Sequence, residues 1–135
     1  MNQTLLGRLI AERLQPDRSL IEALRTLSVQ VKLGIITNGS GETQRAKFKA
    51  AGLAEVISAD HLWISAEVGT AKPDPAIFLM ASQALGEAPE DCLFIGDQEQ
   101  DDQAAAAAAG MRSRLVKGVL NGDRLNELIR EEQTQ

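Results

Sequence analysis

Short apolar runs rich in β-branched residues alternate with helical patterns along this chain of 135 residues, and this alternation restricts the fold more than any other feature. Residues 29–37 (VQVKLGIIT) predict a buried strand that ends in the polar turn at residues 37–41 (TNGSG). Cys92–Ile95 and Ser113–Val116 predict two further strands. Because helical patterns separate these runs, we expect parallel βαβ units in an α/β, Rossmann-like doubly wound sheet.

The remaining segments carry weaker signals. A first helix is predicted from apolar residues at helical spacing, namely Leu5, Leu6, Leu9, Ile10 and Leu14. A second helix is expected to begin after the cap Asp17 and to extend to about Leu27. Residues 55–58 (EVIS) predict a short strand, and the segment around Trp63 predicts an irregular connection. Later helices are expected over about residues 42–51 and 74–85, through the alanines at 104–109, and at the carboxyl terminus.

Three carboxylates follow the strand at Cys92–Ile95 within a few residues. Gly96 allows a sharp turn, so that Asp97 lies at the strand tip while Asp101 and Asp102 fall in the first turn of a helix. Side chains at these positions can converge on one point, and oxygen-rich clusters suit hard cations such as Mg²⁺. The alternative is helix capping, because acids in a first turn complement the helix dipole.

Parallel sheets bind ligands at the carboxyl ends of their strands, so Thr37, Asn38 and Asp97 are expected to share one edge. The turn at Thr37 offers a hydroxyl, an amide and the N–H of Gly39 where a helix begins, which suits a phosphate. Any strand-to-helix turn is rich in such residues, which is the competing interpretation. Lys72 precedes two prolines at a helix start, where its charge would neutralise carboxylates and a phosphoryl group unless it is a plain surface lysine.

Composition restricts the partners of the chain. The formal net charge is −5, which argues against nucleic acid as a partner. No apolar segment approaches the roughly 18 to 20 residues of a membrane span, so we expect a cytoplasmic protein with no membrane partner. Cys92 is the only cysteine, which excludes an internal disulfide.

Three motifs in order, IITNG, AKPDPAIF and FIGDQEQDD followed by AAAAAAGM, resemble the second, third and fourth motifs of the haloacid dehalogenase (HAD) superfamily of hydrolases. Most members of that superfamily are Mg²⁺-dependent phosphatases, and the resemblance covers about residues 16–120. It implies that Thr37 donates a hydrogen bond to the phosphoryl oxygen with Asn38 beside it. It also implies that Lys72 balances charge and that Asp97 ligates Mg²⁺.

The resemblance leaves the second metal-site acid open between Asp101 and Asp102, and the spacing before Gly110 favours Asp102. The sequence also departs from the superfamily at its first motif. Members of the superfamily carry Asp-x-Asp at the end of a first strand, where the first aspartate attacks phosphorus, and this sequence has no such motif. Residues 1–28 are therefore expected to be a remnant of a helical cap with its linker helix, and residues 29–135 the HAD-like core.

In the superfamily the missing strand lies mid-sheet, between the strands that end at Thr37 and Asp97. Its loss would leave buried backbone groups unpaired, at about 1 to 3 kcal/mol each. We therefore expect that the two neighbouring strands pair directly, that a second copy or a complementing chain fills the gap, or that the native chain is longer upstream.

Two functions follow from this pattern. The first is a phosphomonoester phosphatase acting on a small phosphorylated metabolite, with this chain alone inactive because it lacks the nucleophile. The second is a catalytically silent HAD-like domain that binds Mg²⁺, phosphate or a protein partner. The substrate itself cannot be read, because specificity in the superfamily rests largely on the cap.

Overall fold

The computed structural model describes residues 4–7 and 15–133 of the chain. Strands in this part of the chain are β1 (Thr4–Gly7), β2 (Lys32–Thr37), β3 (Leu62–Ile64), β4 (Cys92–Gly96) and β5 (Arg112–Leu115). They form one sheet in the order β3-β2-β1-β4-β5, and every pairing is parallel. The predicted α/β doubly wound parallel sheet is thereby confirmed.

Helices connect these strands and cover the sheet. The α-helices are α1 (Arg18–Leu27), α2 (Gly41–Ala50), α3 (Ser65–Val68), α4 (Ala76–Leu85), α5 (Ala105–Ala108) and α6 (Gly122–Gln133). A π-helical segment at Glu99–Ala104 leads into α5, and single 3₁₀ turns occupy Leu53–Glu55, Ala59–His61 and Pro89–Asp91. None of the helices in the described ranges is both long and apolar enough to cross a membrane.

The sheet lies between two apolar layers because alternate residues of each strand point to opposite faces. Leu93 and Ile95 of β4 pack on the face covered by α1, α2 and α6. Cys92 and Phe94 of the same strand pack on the opposite face, against α4 and α5. The six alanines from residue 104 to residue 109 fit this second layer, where Ala105 and Ala106 are buried against the sheet.

Local signals predicted several elements correctly. Asp17 caps α1, because its carboxylate accepts a hydrogen bond from the backbone N–H of Leu20 at 3.1 Å. Ser40 caps α2 in the same way. Helix α4 begins directly after Pro75 and ends at Gly86, which adopts the left-handed conformation of a C-cap.

The centre of the sheet differs from our expectation. Residues 4–7 form β1, a strand between β2 and β4, and Gly7 lies opposite both Ile35 and Ile95. The helix predicted for this segment is therefore wrong at residues 4–7, and its remainder at residues 8–14 lies outside the described residues. The chain itself fills the position that we expected to be empty, so β2 and β4 do not pair directly. Two adjacent leucines suit a strand as well as a helix, and two buried strand edges offer pairing that no isolated helix could match.

The second predicted strand is also misplaced. Residues 53–55 form a 3₁₀ turn, so residues 55–58 contain no strand, and β3 follows at residues 62–64 where an irregular connection was expected. Leu53 and Ile57 are nonetheless buried, because they anchor this turn in the core. All three residues of β3 are buried, so both faces of this strand contact the core. This burial stabilises a strand of only three residues in its pairing with β2.

Candidate active site

Thr37 is the last residue of β2 and places its side chain at the carboxyl edge of the sheet. The side chain is almost wholly buried, and its hydroxyl lies 3.1 Å from Oε1 of Gln44 on α2. The backbone carbonyl of Asn38 is a second, longer contact at 3.4 Å. Both neighbours are acceptors, so the hydroxyl proton is directed into the protein.

Asn38 is held against the backbone of Lys72 by two hydrogen bonds. Its Nδ2 donates to the carbonyl of Lys72, and the N–H of Lys72 donates to Oδ1, each at 3.0 Å. This two-point contact uses both ends of the amide and joins the end of β2 to the loop before α4. Asn38 therefore fixes where the lysine side chain starts.

Lys72 reaches from that loop to Asp102, which lies in the π-helical segment after β4. The Nζ atom of Lys72 lies 2.6 Å from Oδ1 of Asp102, and the ammonium group also lies 5.6 Å from the ring centroid of Phe94. The second oxygen of Asp102 accepts from the backbone N–H groups of Asp97 and Gln98 at 2.9 and 3.0 Å. One carboxylate thus orients the lysine and closes the turn at the tip of β4.

Gly96 is required by the closeness of Asp102 to the end of β4. A Cβ atom added at Gly96 would lie 2.4 Å from Cβ of Asp102, far inside van der Waals contact. The glycine that predicted a sharp turn therefore also provides the space in which the carboxylate sits.

The first turn of α2 is occupied by bonds within the protein. The N–H of Gly39 donates to Oγ of Ser65 at 2.9 Å, and Oγ of Ser40 accepts from the N–H of Thr43. Gly39 has φ of 140°, a conformation that side chains rarely adopt. The N–H that we expected to face a phosphate is thus directed to Ser65.

An ion pair fixes α2 to α3 beside this turn. Arg45 makes two hydrogen bonds to the carboxylate of Glu67, at 2.9 and 2.7 Å. Hydrogen bonding to the arginine lowers the pKa of Glu67, and the same bond raises the pKa of Arg45. Glu67 and Ser65 both belong to the short helix α3. The ion pair with Arg45 therefore also keeps Ser65 close to Gly39.

The acids that follow β4 differ in burial. Asp102 is buried and faces Lys72, whereas Asp101 is only partly buried. In residues 4–7 and 15–133, no group of three or more His, Cys, Asp and Glu side chains is arranged to hold a metal ion. The assignment of Asp97, Asp101 and Asp102 to a metal site therefore stays a prediction.

The structure also includes two residues that sequence reasoning missed, Gln44 and Ser65. Gln44 lies on the buried face of α2 one turn before Phe48, so a polar residue occupies the apolar stripe of its helix. That position was a readable signal, because buried amides require partners. Ser65 had no comparable signal, since its contact with Gly39 spans 26 residues of sequence.

Comparison with known proteins identifies the family to which the chain belongs. The family described as haloacid dehalogenase-like hydrolase matches residues 3–110, which include β1 and the side chains of Thr37, Asn38, Lys72 and Asp102. The chain belongs to this family of hydrolases. The resemblance that the three motifs suggested is thereby confirmed.

Several proteins that are similar to this chain are phosphatases. Phosphoserine phosphatase of Thermus thermophilus is 46% identical over 84 residues, which are 62% of this chain and 33% of the relative. Hexitol phosphatase A of Escherichia coli is 32% identical over 130 residues, which are 93% of this chain and 58% of the relative. A solved HAD-superfamily hydrolase of Geobacter sulfurreducens has a TM-score of 0.70 at 28% identity, covering 84% of this chain and 55% of that one. The chain therefore spans between one third and three fifths of the length of these relatives.

Proposed function

We propose that this HAD-like chain provides the phosphate-positioning part of a Mg²⁺-dependent phosphomonoester phosphatase that acts on a small phosphorylated metabolite. The observation that carries the proposal is the buried pair of Lys72 and Asp102, which lies at the carboxyl edge of the sheet between Thr37 and Asp97. A buried ion pair is a poor way to stabilise a fold, since apolar residues of similar volume do as well. Its location at a ligand-binding edge supports a role in binding charge instead.

Lys72 would attract and orient the phosphoryl group. Its Nζ atom is fixed at the far end by Asp102, and its backbone is fixed by Asn38. Charge held in place before substrate arrives favours the charged transition state, because little reorganisation is needed during the reaction. Thr37 would provide a hydroxyl at the same edge.

The donor set fits a Mg²⁺ ion that is held jointly with phosphate and water. Mg²⁺ is commonly bound through one or two carboxylates together with substrate phosphates. Asp97, at the tip of β4, is the carboxylate that would hold it, with Asp102 next to it and Asp101 as the more exposed alternative. When bound, such an ion neutralises the negative charge of the phosphoryl oxygens. We therefore expect weak binding of Mg²⁺ without phosphate.

The sequence favours a second candidate, a silent domain that binds phosphate without hydrolysing it. No Asp-x-Asp occurs in the 135 residues, and the strand β1 is followed in the sequence by Arg8, Leu9 and Ile10. The nucleophile of the family is a carboxylate, and none of these three residues can replace it.

Calorimetric titration of the chain with inorganic phosphate, with and without MgCl₂, tests the shared binding step. Phosphate is expected to bind more tightly with Mg²⁺, and Asp97→Asn should remove this difference. Asp123→Asn, a matched change at the exposed start of α6, should leave it unchanged. Absence of phosphate binding in both conditions would overturn the proposal.

Hydrolysis of p-nitrophenyl phosphate by the same preparation separates the two candidates. Turnover that depends on Mg²⁺ and disappears in Asp97→Asn identifies an enzyme. Phosphate binding without turnover identifies the silent domain. Turnover that survives Asp97→Asn would place the activity at another site or in a contaminant.

A further inference from the structure

Gln44 presents a buried amide to the hydroxyl that the proposed function assigns to phosphate binding. The residue is 8% exposed, and its Oε1 lies 3.1 Å from Oγ1 of Thr37. Within residues 15–133 the Nε2 atom has no hydrogen-bond partner. Buried polar atoms without partners are rare in folded proteins, and each such atom asks for an explanation.

The present arrangement conflicts with phosphate binding by Thr37. Phosphoryl oxygens accept hydrogen bonds and donate none in the dianion, so the threonine must supply its single proton. Oε1 of Gln44 and the carbonyl of Asn38 are both acceptors, and together they hold that proton within the protein. If Thr37 turns its proton toward an anion while Gln44 stays as it is, two acceptor oxygens face each other at 3.1 Å, which disfavours donation to the anion.

Rotation of the Gln44 amide by 180° provides that donor. It exchanges the two ends of the amide, so that Nε2 donates to Oγ1 of Thr37 and the hydroxyl proton turns outward. Gly39 leaves room for the amide, since a Cβ atom at this position would lie 2.7 Å from Nε2. Any residue other than glycine would therefore press on the group that has to rotate.

We infer that Gln44 is a positioning residue that sets the hydrogen-bonding state of Thr37: its carbonyl holds the threonine proton in the arrangement described above, and its rotated amide releases that proton to a bound phosphoryl group. This inference rests on the proposed function, because it requires that an anion binds at Thr37. Gln44 acts only through the threonine and does not touch the anion.

A double-mutant cycle tests whether Gln44 acts through Thr37. Gln44→Glu keeps the shape but at pH 8 offers only acceptors, and Thr37→Val removes the hydroxyl at similar volume. The affinity for inorganic phosphate, with MgCl₂ present, is measured by calorimetry for the parent, both single variants and the double variant. Each single variant is expected to weaken binding about tenfold, as loss of a hydrogen bond to a charged group does. In the Thr37→Val background, Gln44→Glu should then have no further effect.

Gln83→Glu on the exposed side of α4 is the matched control for the added negative charge, and it should bind phosphate as the parent does. If Gln44→Glu does not fold, as judged by thermal unfolding, Gln44→Met replaces it in the same cycle. The same disappearance of its effect in the Thr37→Val background is then expected.

The outcomes separate this inference from the proposed function. If the parent does not bind phosphate, both fail. If the parent binds phosphate but the effect of Gln44→Glu persists in the Thr37→Val background, Gln44 acts directly on the anion or by charge repulsion. The proposed function then stands and this inference is overturned. Unchanged affinity in Gln44→Glu overturns it equally.

Discussion

The ammonium group of Lys72 and the carboxylate of Asp102 approach to 2.6 Å, with only 3% and 1% of their side chains exposed. Thirty residues separate them in the sequence, so the pair joins the loop before α4 to the turn after β4. Removing Lys72 leaves the buried carboxylate of Asp102 without the ammonium group that neutralises it, which is more harmful than losing both members of the pair.

We therefore expect Lys72→Met to lower the free energy of unfolding by about 3 kcal/mol, and Lys72→Met with Asp102→Leu to lower it by less than the two single changes together. Urea denaturation of the four proteins measures the difference. Glu127→Gln, which removes an exposed partner of Arg124, should change stability by less than about 0.5 kcal/mol. Strictly additive losses would contradict the paired arrangement.

Asn38 offers a test of how the backbone of Lys72 is held. Asn38→Leu preserves approximate size but removes both hydrogen bonds to Lys72, so phosphate affinity should fall several-fold as the lysine loses its fixed origin. Asn38→Asp retains an acceptor for the N–H of Lys72 and should lose less stability than Asn38→Leu. Calorimetry and urea denaturation report the two effects. Equal behaviour of both variants would argue against the two-point contact.

Gly96→Ala should displace the carboxylate of Asp102. The added methyl group would lie 2.4 Å from Cβ of Asp102 and 2.5 Å from its Cγ, so the turn after β4 must shift. We expect a loss of about 3 kcal/mol in unfolding free energy, comparable to other severe core overpacking, together with loss of phosphate binding. Gly69→Ala is the comparison, because open space surrounds that position and only its backbone conformation is strained, at about 1 kcal/mol. Similar losses in both variants would show that steric conflict with Asp102 is not the cause.

The pair of Arg18 and Glu55 predicts a dependence of stability on pH. The hydrogen bond from Arg18, with smaller effects of its charge and that of Arg25, lowers the pKa of Glu55 below its usual value of 4.5. A carboxyl whose pKa is lower in the folded state stabilises the fold above its unfolded pKa, and the benefit disappears as pH falls through the folded value. The difference in Tm between the parent and Glu55→Gln should thus be present at pH 7 and shrink below about pH 4.5. A constant difference over this range would refute the assignment.

Sequence reasoning located the helices and strands that are defined by neighbouring residues. It failed where the structure of a segment depends on pairing with residues far along the chain. The cap Asp17 and the glycine after Leu85 define their helices by contacts within a few residues, so both helices were predictable. β1 depends on two strands that lie far along the chain, and two leucines alone do not distinguish strand from helix.

In the candidate site, too, local signals placed residues that strand ends position, but they did not predict contacts between distant residues. Thr37 and Asp97 lie at strand ends, and hydrogen bonds connect Asn38, Lys72 and Asp102 to them, while the roles of these five residues in binding stay predictions. Their partners were not predictable. Asp102 could face a metal ion or a lysine, and the path of the loop that carries Lys72 decides between them. Asn38, which follows β2, holds that loop in place.

The short strand β1 separates the two halves of the sheet, because β2 and β3 lie on one side of it and β4 and β5 on the other. Thr37 belongs to the first half and Asp102 follows the second, while Lys72 connects them through Asn38 and its own ammonium group. The distance across the site is thus determined by four residues at the middle of the molecule. A ligand that contacts both halves of the sheet would hold them together. Its affinity would therefore depend on how well β1 keeps the two halves paired.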